Sequence, residues 1–245
     1  MNSRFWENQF VPLAVLLGIA LIIAAAIGSW AAVAIKNASN TLSVTGSAQV
    51  AVSADSVKWV VTATRYADES GVAYASAEVT SDAKTIAAYY GKAGISADNI
   101  TLGAIHTNQD YSYSQDASAP KRYIITQDVT MTSNDPALVQ KLAQDTSALT
   151  NQGVALNSSD PEYYVSTLPD IRVSLMGDAV KDAKARAGEI VKSTGQSVGR
   201  LQSASSGVVQ VLAANSVDVS DYGTYDTSTI DKTVMVTVRA TFFVN

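Results

Sequence analysis

The stretch DAVKDAKARAGEI, residues 178–190, predicts a helix with an unusually small apolar face. Ala179, Ala183 and Ala187 recur every four residues, which places them on one side of a helix. The same face includes Ile171, Leu175 and Ile190, and Pro169 and Gly195 mark the start and the end of the helix. Because alanine adds only a methyl group, we expect this face to pack very closely on a neighbouring element.

Strand-like patterns surround this helix. Apolar and polar residues alternate over 41–52, 56–67, 100–106, 123–131 and 234–244, and short strands are predicted near 154–156, 162–167, 201–205 and 208–213. Two further helices are predicted, one capped by Asp68 and running to about Lys92, the other from Asp135–Pro136 to about Asn151. The order ββ-α-ββ-α-ββ-α-βββ predicts an α+β fold, with antiparallel or mixed sheets on which three long helices pack.

An uncharged apolar run covers residues 11–35. It is long enough to cross a bilayer, since a hydrocarbon core of about 30 Å needs about 20 helical residues. We therefore expect an N-terminal transmembrane anchor over residues 1–36, a short polar linker over 37–41 and an α+β domain over 42–245. The anchor assignment includes two tryptophans in the positions of the aromatic belts and three residues of the span: Trp6, Trp30, Pro12, Gly18 and Gly28.

The alternative for this run is a cleaved signal peptide. Ala32-Val33-Ala34 fits an A-x-A cleavage pattern, and Arg4 provides a weak basic region before it. The apolar part of a signal peptide is usually about 7–15 residues, so the length of this run favours the anchor. Charges near its ends nearly balance, and the positive-inside rule hardly distinguishes the two orientations. The small-residue pairs of the span, such as Ala24 and Gly28, are weak evidence for helix pairing.

Composition limits the classes of function. The formal net charge is −5, and a surface without a cluster of basic residues argues against nucleic acid and anionic headgroups as partners. The chain contains no cysteine, which excludes disulfides, thiol nucleophiles and zinc–thiolate sites. We expect no cofactor.

Several motifs together resemble the SIMPL-domain family. The opening strand carries Val44-Thr45-Gly46, followed by Ala54-Asp55, and the long helix and its exit read Asp178-Ala179-Val180 to Gly199-Arg200-Leu201. The sequence departs from the family pattern at Ser47, Gln49 and Ala54. The resemblance implies an exported or periplasmic α+β protein, often membrane-associated and inclined to large homo-oligomers. It implies no established enzymatic activity and supplies no catalytic residues.

The residues themselves provide little chemistry. His106 is the only histidine, and we interpret it as an ordinary histidine on the same strand face as Ile100 and Leu102. An acidic loop contains Asp218, Asp221, Asp226 and Asp231, but their spacing does not fit a calcium loop. No G-x-S-x-G nucleophile elbow occurs. We therefore predict no catalytic, cofactor-binding or metal-binding residue, and no enzyme.

Two loops have the composition of binding loops. Residues 110–116 and 220–226 are rich in Tyr, Ser, Asp and Gly, and each lies between two predicted strands. Tyrosine offers large contact area at low entropic cost, so Tyr111, Tyr113, Tyr222 and Tyr225 are candidate interaction residues. The alternative is that both loops are only exposed hairpin tips.

Two functions remain open. The first is a scaffolding protein, held in the cell membrane with its N-terminus in the cytoplasm and its domain outside, which assembles into a closed homo-oligomer. The second is an accessory module that binds another envelope protein or a ligand through the tyrosine loops. The expected partners are other copies of the chain, the lipid bilayer through residues 11–35 and, in the second case, an envelope protein.

Overall fold

The computed structural model describes residues 4–38, 40–111, 120–216, 220 and 222–245. Its helices are α1 (Arg4–Ala38), α2 (Val72–Lys92), α3 (Pro136–Gln144), α4 (Ser147–Thr150) and α5 (Leu168–Lys192). Its strands are β1 (Thr41–Ser53), β2 (Ser56–Asp68), β3 (Ile100–Gln109), β4 (Arg122–Ser133), β5 (Leu156–Ser158), β6 (Glu162–Tyr164), β7 (Val198–Ala213) and β8 (Asp231–Val244). The α+β fold class predicted from the sequence is confirmed.

The strands form two sheets. One has three strands in the order β1-β8-β7, and the other has five, in which β3-β4-β2-β5 are consecutive neighbours and β6 also pairs with β2. Strands β2, β3 and β4 pair antiparallel. The chain divides into two compact units, and the first consists of Met1–Ala48, Met176–Gly207 and Thr237–Asn245. The second consists of Gln49–Leu175 and Val208–Val236.

The core of the second unit lies between α2 and the sheet around β2. Strand β2 buries alternate residues from Val57 to Ala63, and α2 buries a stripe from Val79 to Tyr90. Trp59 is 1% exposed, and its indole N–H donates to the Ser158 hydroxyl at 2.9 Å, so the largest core side chain has its polar atom satisfied. The Trp59 and Tyr90 rings meet edge to face with centroids 4.9 Å apart.

The core of the first unit is built from small residues, as the alanine face predicts. Ala183 and Ala187 of α5 are fully buried with Ala240 and Phe242 of β8. Gly46 of β1 lies so close to α5 that a methyl group there would overlap the Ala179 carbonyl oxygen and the Ala183 amide nitrogen. One end of the predicted face is wrong: Ile190 is 51% exposed, and Val191 is buried instead.

Two predicted elements differ from the structure. The helix expected from Pro136 to Asn151 breaks at Asp145, which is extended and accepts the Ser147 N–H through its side chain at 2.9 Å. An aspartate that bonds to a nearby main-chain N–H competes with helical hydrogen bonding, which explains the break. The two strands expected at 201–205 and 208–213 are one continuous strand, β7. Gly207 does not interrupt it, because the absence of a side chain lets β7 approach Thr237 of β8.

The start of α2 also differs from the expectation. Asp68 is the last residue of β2, and Gly71 occupies the cap position before Val72. The Asp68 carboxylate instead accepts the Gly71 N–H at 2.8 Å and the Ser70 hydroxyl at 2.7 Å. It therefore organises the turn that leads into the helix.

Candidate functional site

His106 is not positioned as the sequence suggested. A β-bulge between Leu102 and Ile105 inserts one residue into β3, so that Leu102 pairs with Val129 and His106 pairs with Thr126. Directly paired residues share a sheet face, and the bulge moves His106 to the face opposite Leu102. The side chain is exposed. Among the residues that the structure describes, no group of three or more His, Asp or Glu side chains could hold a metal ion.

The two aspartates of the acidic loop that the structure describes, Asp226 and Asp231, form hydrogen bonds within the protein. Asp226 accepts hydrogen bonds from the Ser228 and Thr229 hydroxyls at 2.9 and 2.8 Å and from Lys232 at 3.2 Å. Asp231 accepts a bond from the Ser53 hydroxyl at 3.3 Å. Asp218 and Asp221 lie outside the described residues.

Lys232 and Asp226 form a buried ion pair. The Lys232 side chain is fully buried, and its ammonium also donates to the Asp226 main-chain carbonyl. Burial alone would raise the pKa of Asp226, but the hydrogen bonds from Thr229, Ser228 and Lys232 outweigh it and hold this pKa at about 2. Burial lowers the pKa of Lys232, and Asp226 opposes that effect. The pair fixes the loop before β8, with the Lys232 ammonium enclosed and the Asp226 side chain 23% exposed.

The candidate tyrosines fall into two groups. Tyr111 is 75% exposed and Tyr222 is 96% exposed. Tyr225 is 38% exposed, its hydroxyl oxygen accepts the Val165 N–H at 3.0 Å, and its ring lies 5.9 Å from that of Tyr164. Tyr113 lies outside the described residues. Tyr225 therefore anchors its loop, and Tyr111 and Tyr222 present their rings to solvent.

Two long strand edges are the exposed features that the sequence did not reveal. Strand β7 is at the edge of its sheet, and its residues 200–208 are exposed without the alternation of a half-buried strand. Strand β3 is at the edge of the other sheet, and residues 101–108 are likewise exposed. Unpaired N–H and C=O groups along such edges are templates for pairing with another strand. In the sequence, only the absence of alternation at Ser203-Ala204-Ser205-Ser206 indicates an exposed strand edge.

The opposite edge of the three-stranded sheet is covered at one point. The Ser47 N–H of β1 donates to Asp182 of α5 at 2.8 Å, and Arg186 donates to the same carboxylate at 2.7 Å. A side-chain carboxylate on an edge N–H removes a site at which another strand could pair. The two edges of this sheet therefore differ.

Helix α1 contains the apolar run. Its segment Pro12–Val33 has a mean hydropathy of 2.4 and is long and apolar enough to cross a membrane, a test that a signal sequence also passes. Trp30 is 75% exposed, and side chains at Gly18 and Gly28 would meet open space. Trp6 lies in the helix, but its side chain is outside the described part of the chain.

The sequence model of SIMPL, a protein family of unknown function (DUF541), matches residues 42–242. The chain belongs to the SIMPL family. The match begins just after β1 starts and ends two residues before β8 does, so both sheets are part of the SIMPL domain. No curated protein matches the chain significantly.

The features of this SIMPL protein that suit a function are surfaces exposed to solvent. The family is of unknown function and is not a known enzyme family. Among the described residues, the exposed features include the edges of β3 and β7, Tyr111, Tyr222 and the apolar helix α1. Each of them suits contact with other molecules.

Proposed function

We propose that this SIMPL protein is a membrane-anchored, extracytoplasmic scaffolding protein that assembles into a closed homo-oligomer and performs no catalysis. The observation that supports the proposal best is the exposed edge of β7 over residues 200–208. Helix α1 provides the anchor, through the apolar segment Pro12–Val33.

Orientation in a membrane restricts how copies can meet. Copies whose helices cross one bilayer in the same direction are related by rotation about the membrane normal, so a ring larger than a dimer needs two different surfaces. The edges of β7 and β3 are two such surfaces in one chain. In the proposed ring, the β7 edge of one copy pairs with the β3 edge of the next.

The anchor strengthens this assembly without being required for it. Pairing about eight residues forms about eight hydrogen bonds, each worth about 0.5–1.5 kcal/mol net. Association in solution costs about 4–15 kcal/mol in lost freedom, so edge pairing alone roughly breaks even. Copies held in one plane meet at a higher effective concentration, which strengthens weak contacts by roughly a hundredfold or more.

Cysteine cross-linking tests the arrangement directly, because the chain has no native cysteine. Ser203→Cys lies in the exposed part of β7 and Thr107→Cys in that of β3. With a short bismaleimide in membranes, the double variant should give a ladder that ends at a fixed largest species. The matched control combines Ser203→Cys with Ser81→Cys, which lies on the exposed face of α2, and should give no ladder.

Other outcomes are equally informative. Dimers from Ser203→Cys alone would mean that two β7 edges meet symmetrically, and would contradict the ring. The mass of the full chain after mild detergent extraction should be that of a defined oligomer, and a monomer would contradict assembly. Deletion of Met1 to Lys36 should leave a soluble, weaker oligomer of the same stoichiometry.

Topology has its own test. Protease added to intact cells should digest the domain and leave Met1 to Glu7 protected, since the proposed N-terminus is cytoplasmic. The reverse pattern of protection would contradict the extracytoplasmic assignment without bearing on the strand edges.

A second candidate function rests on Tyr222. A tyrosine that is 96% exposed at a loop tip suits recognition of an envelope protein or a ligand. If the chain is an accessory binding module, Tyr222→Ala should abolish capture of a cross-linked envelope partner and leave its own mass unchanged. In a scaffold, the same variant should have no effect on the ladder.

A further inference from the structure

Three lysines gather along one side of α5 in the first unit. Lys181, Lys184 and Lys192 line a groove of about 820 Å³, together with Gly188, Val198 and other residues near the end of the helix. Lys181 and Lys192 form exposed ion pairs with Asp178 and Glu189, at 2.8 and 3.8 Å, of a type that contributes little in water. Three lysines are therefore clustered on this side of the helix, although the chain as a whole is acidic and its composition argues against anionic headgroups as partners.

A second groove connects these lysines to the start of the domain. Asn40, Thr41 and Leu42 line it, and Val191 and Gln196 belong to both grooves. The lysine groove therefore lies beside the point at which the chain enters β1. Ile190, which is 51% exposed, also lines the second groove and adds an apolar side chain to this end of the unit.

The covalent connection to α1 sets how far this end can be from a bilayer. Val33 ends the apolar segment, and the five helical residues from there to Ala38 rise by about 7.5 Å. Asn40 is two residues further, at most about 7.6 Å between Cα atoms. The entry to β1 thus lies within about 15 Å of the hydrocarbon edge, and the headgroup layer itself is about 5–8 Å thick on each side.

We propose that the end of the first unit formed by the lysine groove and Asn40–Leu42 is a lipid-facing surface whose lysines bind the phosphates of anionic headgroups. Lysine suits this contact because its ammonium is a compact charge on a flexible stem that reaches along a surface. Phosphate oxygens can replace the exposed carboxylates of Asp178 and Glu189 as partners. The inference rests on the proposed anchoring role of α1 and is independent of the ring.

Headgroup quenching in vesicles tests the contact with the full chain. Ser193→Cys, in the exposed turn after α5, carries a fluorophore, and Ser206→Cys, in the same unit towards the far end of the exposed part of β7, is the matched control. The vesicles contain phosphatidylcholine with about a third phosphatidylglycerol and a headgroup-linked nitroxide quencher. Quenching should be strong at position 193 and weak at position 206.

The lysine contribution has a specific signature. Each lysine near an anionic surface changes the equilibrium for contact by about fivefold, so Lys181→Gln, Lys184→Gln and Lys192→Gln together should lower it by up to about a hundredfold. Half-molar salt and vesicles of pure phosphatidylcholine should each reduce the quenching at position 193 when the three lysines are present. The salt and lipid comparisons decide the question even if the triple variant fails to fold.

Four results would overturn the proposal. Equal quenching at positions 193 and 206 would mean that this end of the first unit has no preferred contact. Equal quenching in neutral and anionic vesicles would exclude the lysine–phosphate contact. Failure of the chain to float with vesicles would remove the anchor as well, and flotation with no quenching at position 193 would reject this surface alone.

Discussion

Gly46→Ala is the sharpest test of how α5 packs in the first unit. The added methyl group would overlap two main-chain atoms of α5, the Ala179 carbonyl oxygen and the Ala183 nitrogen, and would lie 2.8 Å from the Ala183 Cα atom. A main-chain atom cannot turn away as a side chain does. The helix must therefore move away from β1 as a body, or β1 must bend.

The cost follows from the size of the displacement. Overpacking a core typically costs about 1–3 kcal/mol, and contact with main chain places this case near about 3 kcal/mol. Each 1.4 kcal/mol is a factor of about ten, so local opening of the first unit should become about a hundredfold more frequent. This unit has a small buried cluster of alanines and one phenylalanine, so it has little other packing to compensate.

Hydrogen exchange of the full chain in detergent reads the two units separately. The Val244 N–H, bonded to Asn40 at 3.0 Å, reports the first unit, and the Ala54 N–H, bonded to Ile230 at 2.8 Å, reports the second. Gly46→Ala should accelerate exchange at Val244 by about a hundredfold and change Ala54 much less.

The matched control is the same substitution in the same unit. Gly177 lies inside α5, and a methyl group there would meet open space, so Gly177→Ala should stabilise the helix by about 0.5–1 kcal/mol. Unchanged exchange at Val244 in Gly46→Ala, or equal destabilisation by both variants, would refute the close approach of α5 to β1.

Four other predictions concern packing, hydrogen bonding and charge. Ala183→Leu adds three carbons at a fully buried position and should cost about 1–3 kcal/mol in chemical denaturation, whereas Lys184→Leu on the exposed side should cost little. Tyr225→Phe removes the acceptor of a main-chain N–H and should lower the free energy of unfolding by about 1 kcal/mol. Tyr90→Phe should be neutral or stabilising, because no described residue forms a hydrogen bond with this buried hydroxyl. The pKa of Asp226 is lower in the folded state than in the unfolded state, so this carboxylate contributes stability above about pH 4 that is lost as the pH falls towards 2. The free energy of unfolding, measured as a function of pH, should fall by roughly 2 kcal/mol over this range, and Asp226→Asn should not show this fall.

Local patterns determined much of the fold from sequence. Alternation located β2, β4 and β8, and the spacing of Ala179, Ala183 and Ala187 identified the face of α5 that packs on the sheet. These predictions succeeded because burial on one face imposes a period that the residues themselves display.

The failures have a different physical origin. The bulge in β3 shifts register by one residue, and no period can reveal where it occurs, so His106 was placed on the wrong face. An aspartate such as Asp145 can occur inside a helix, so its presence in the sequence does not predict a break. The break depends on its hydrogen bond with the Ser147 N–H, which forms only in the local geometry of the folded chain. The positions of Lys181, Lys184 and Lys192 on one helix side are readable from spacing, but their proximity to Asn40 arises only in the fold.

The order of strands in the three-stranded sheet has a consequence for biogenesis. β8, the central strand, comes after both of its neighbours along the chain. A ribosome therefore delivers α1 and β1 long before the strand that joins β1 to β7 exists, and the first unit cannot close until Thr237–Asn245 has emerged. Through most of synthesis β1 therefore lacks its neighbour, whereas β7 emerges shortly before β8, and a chaperone would have to protect β1 during that interval.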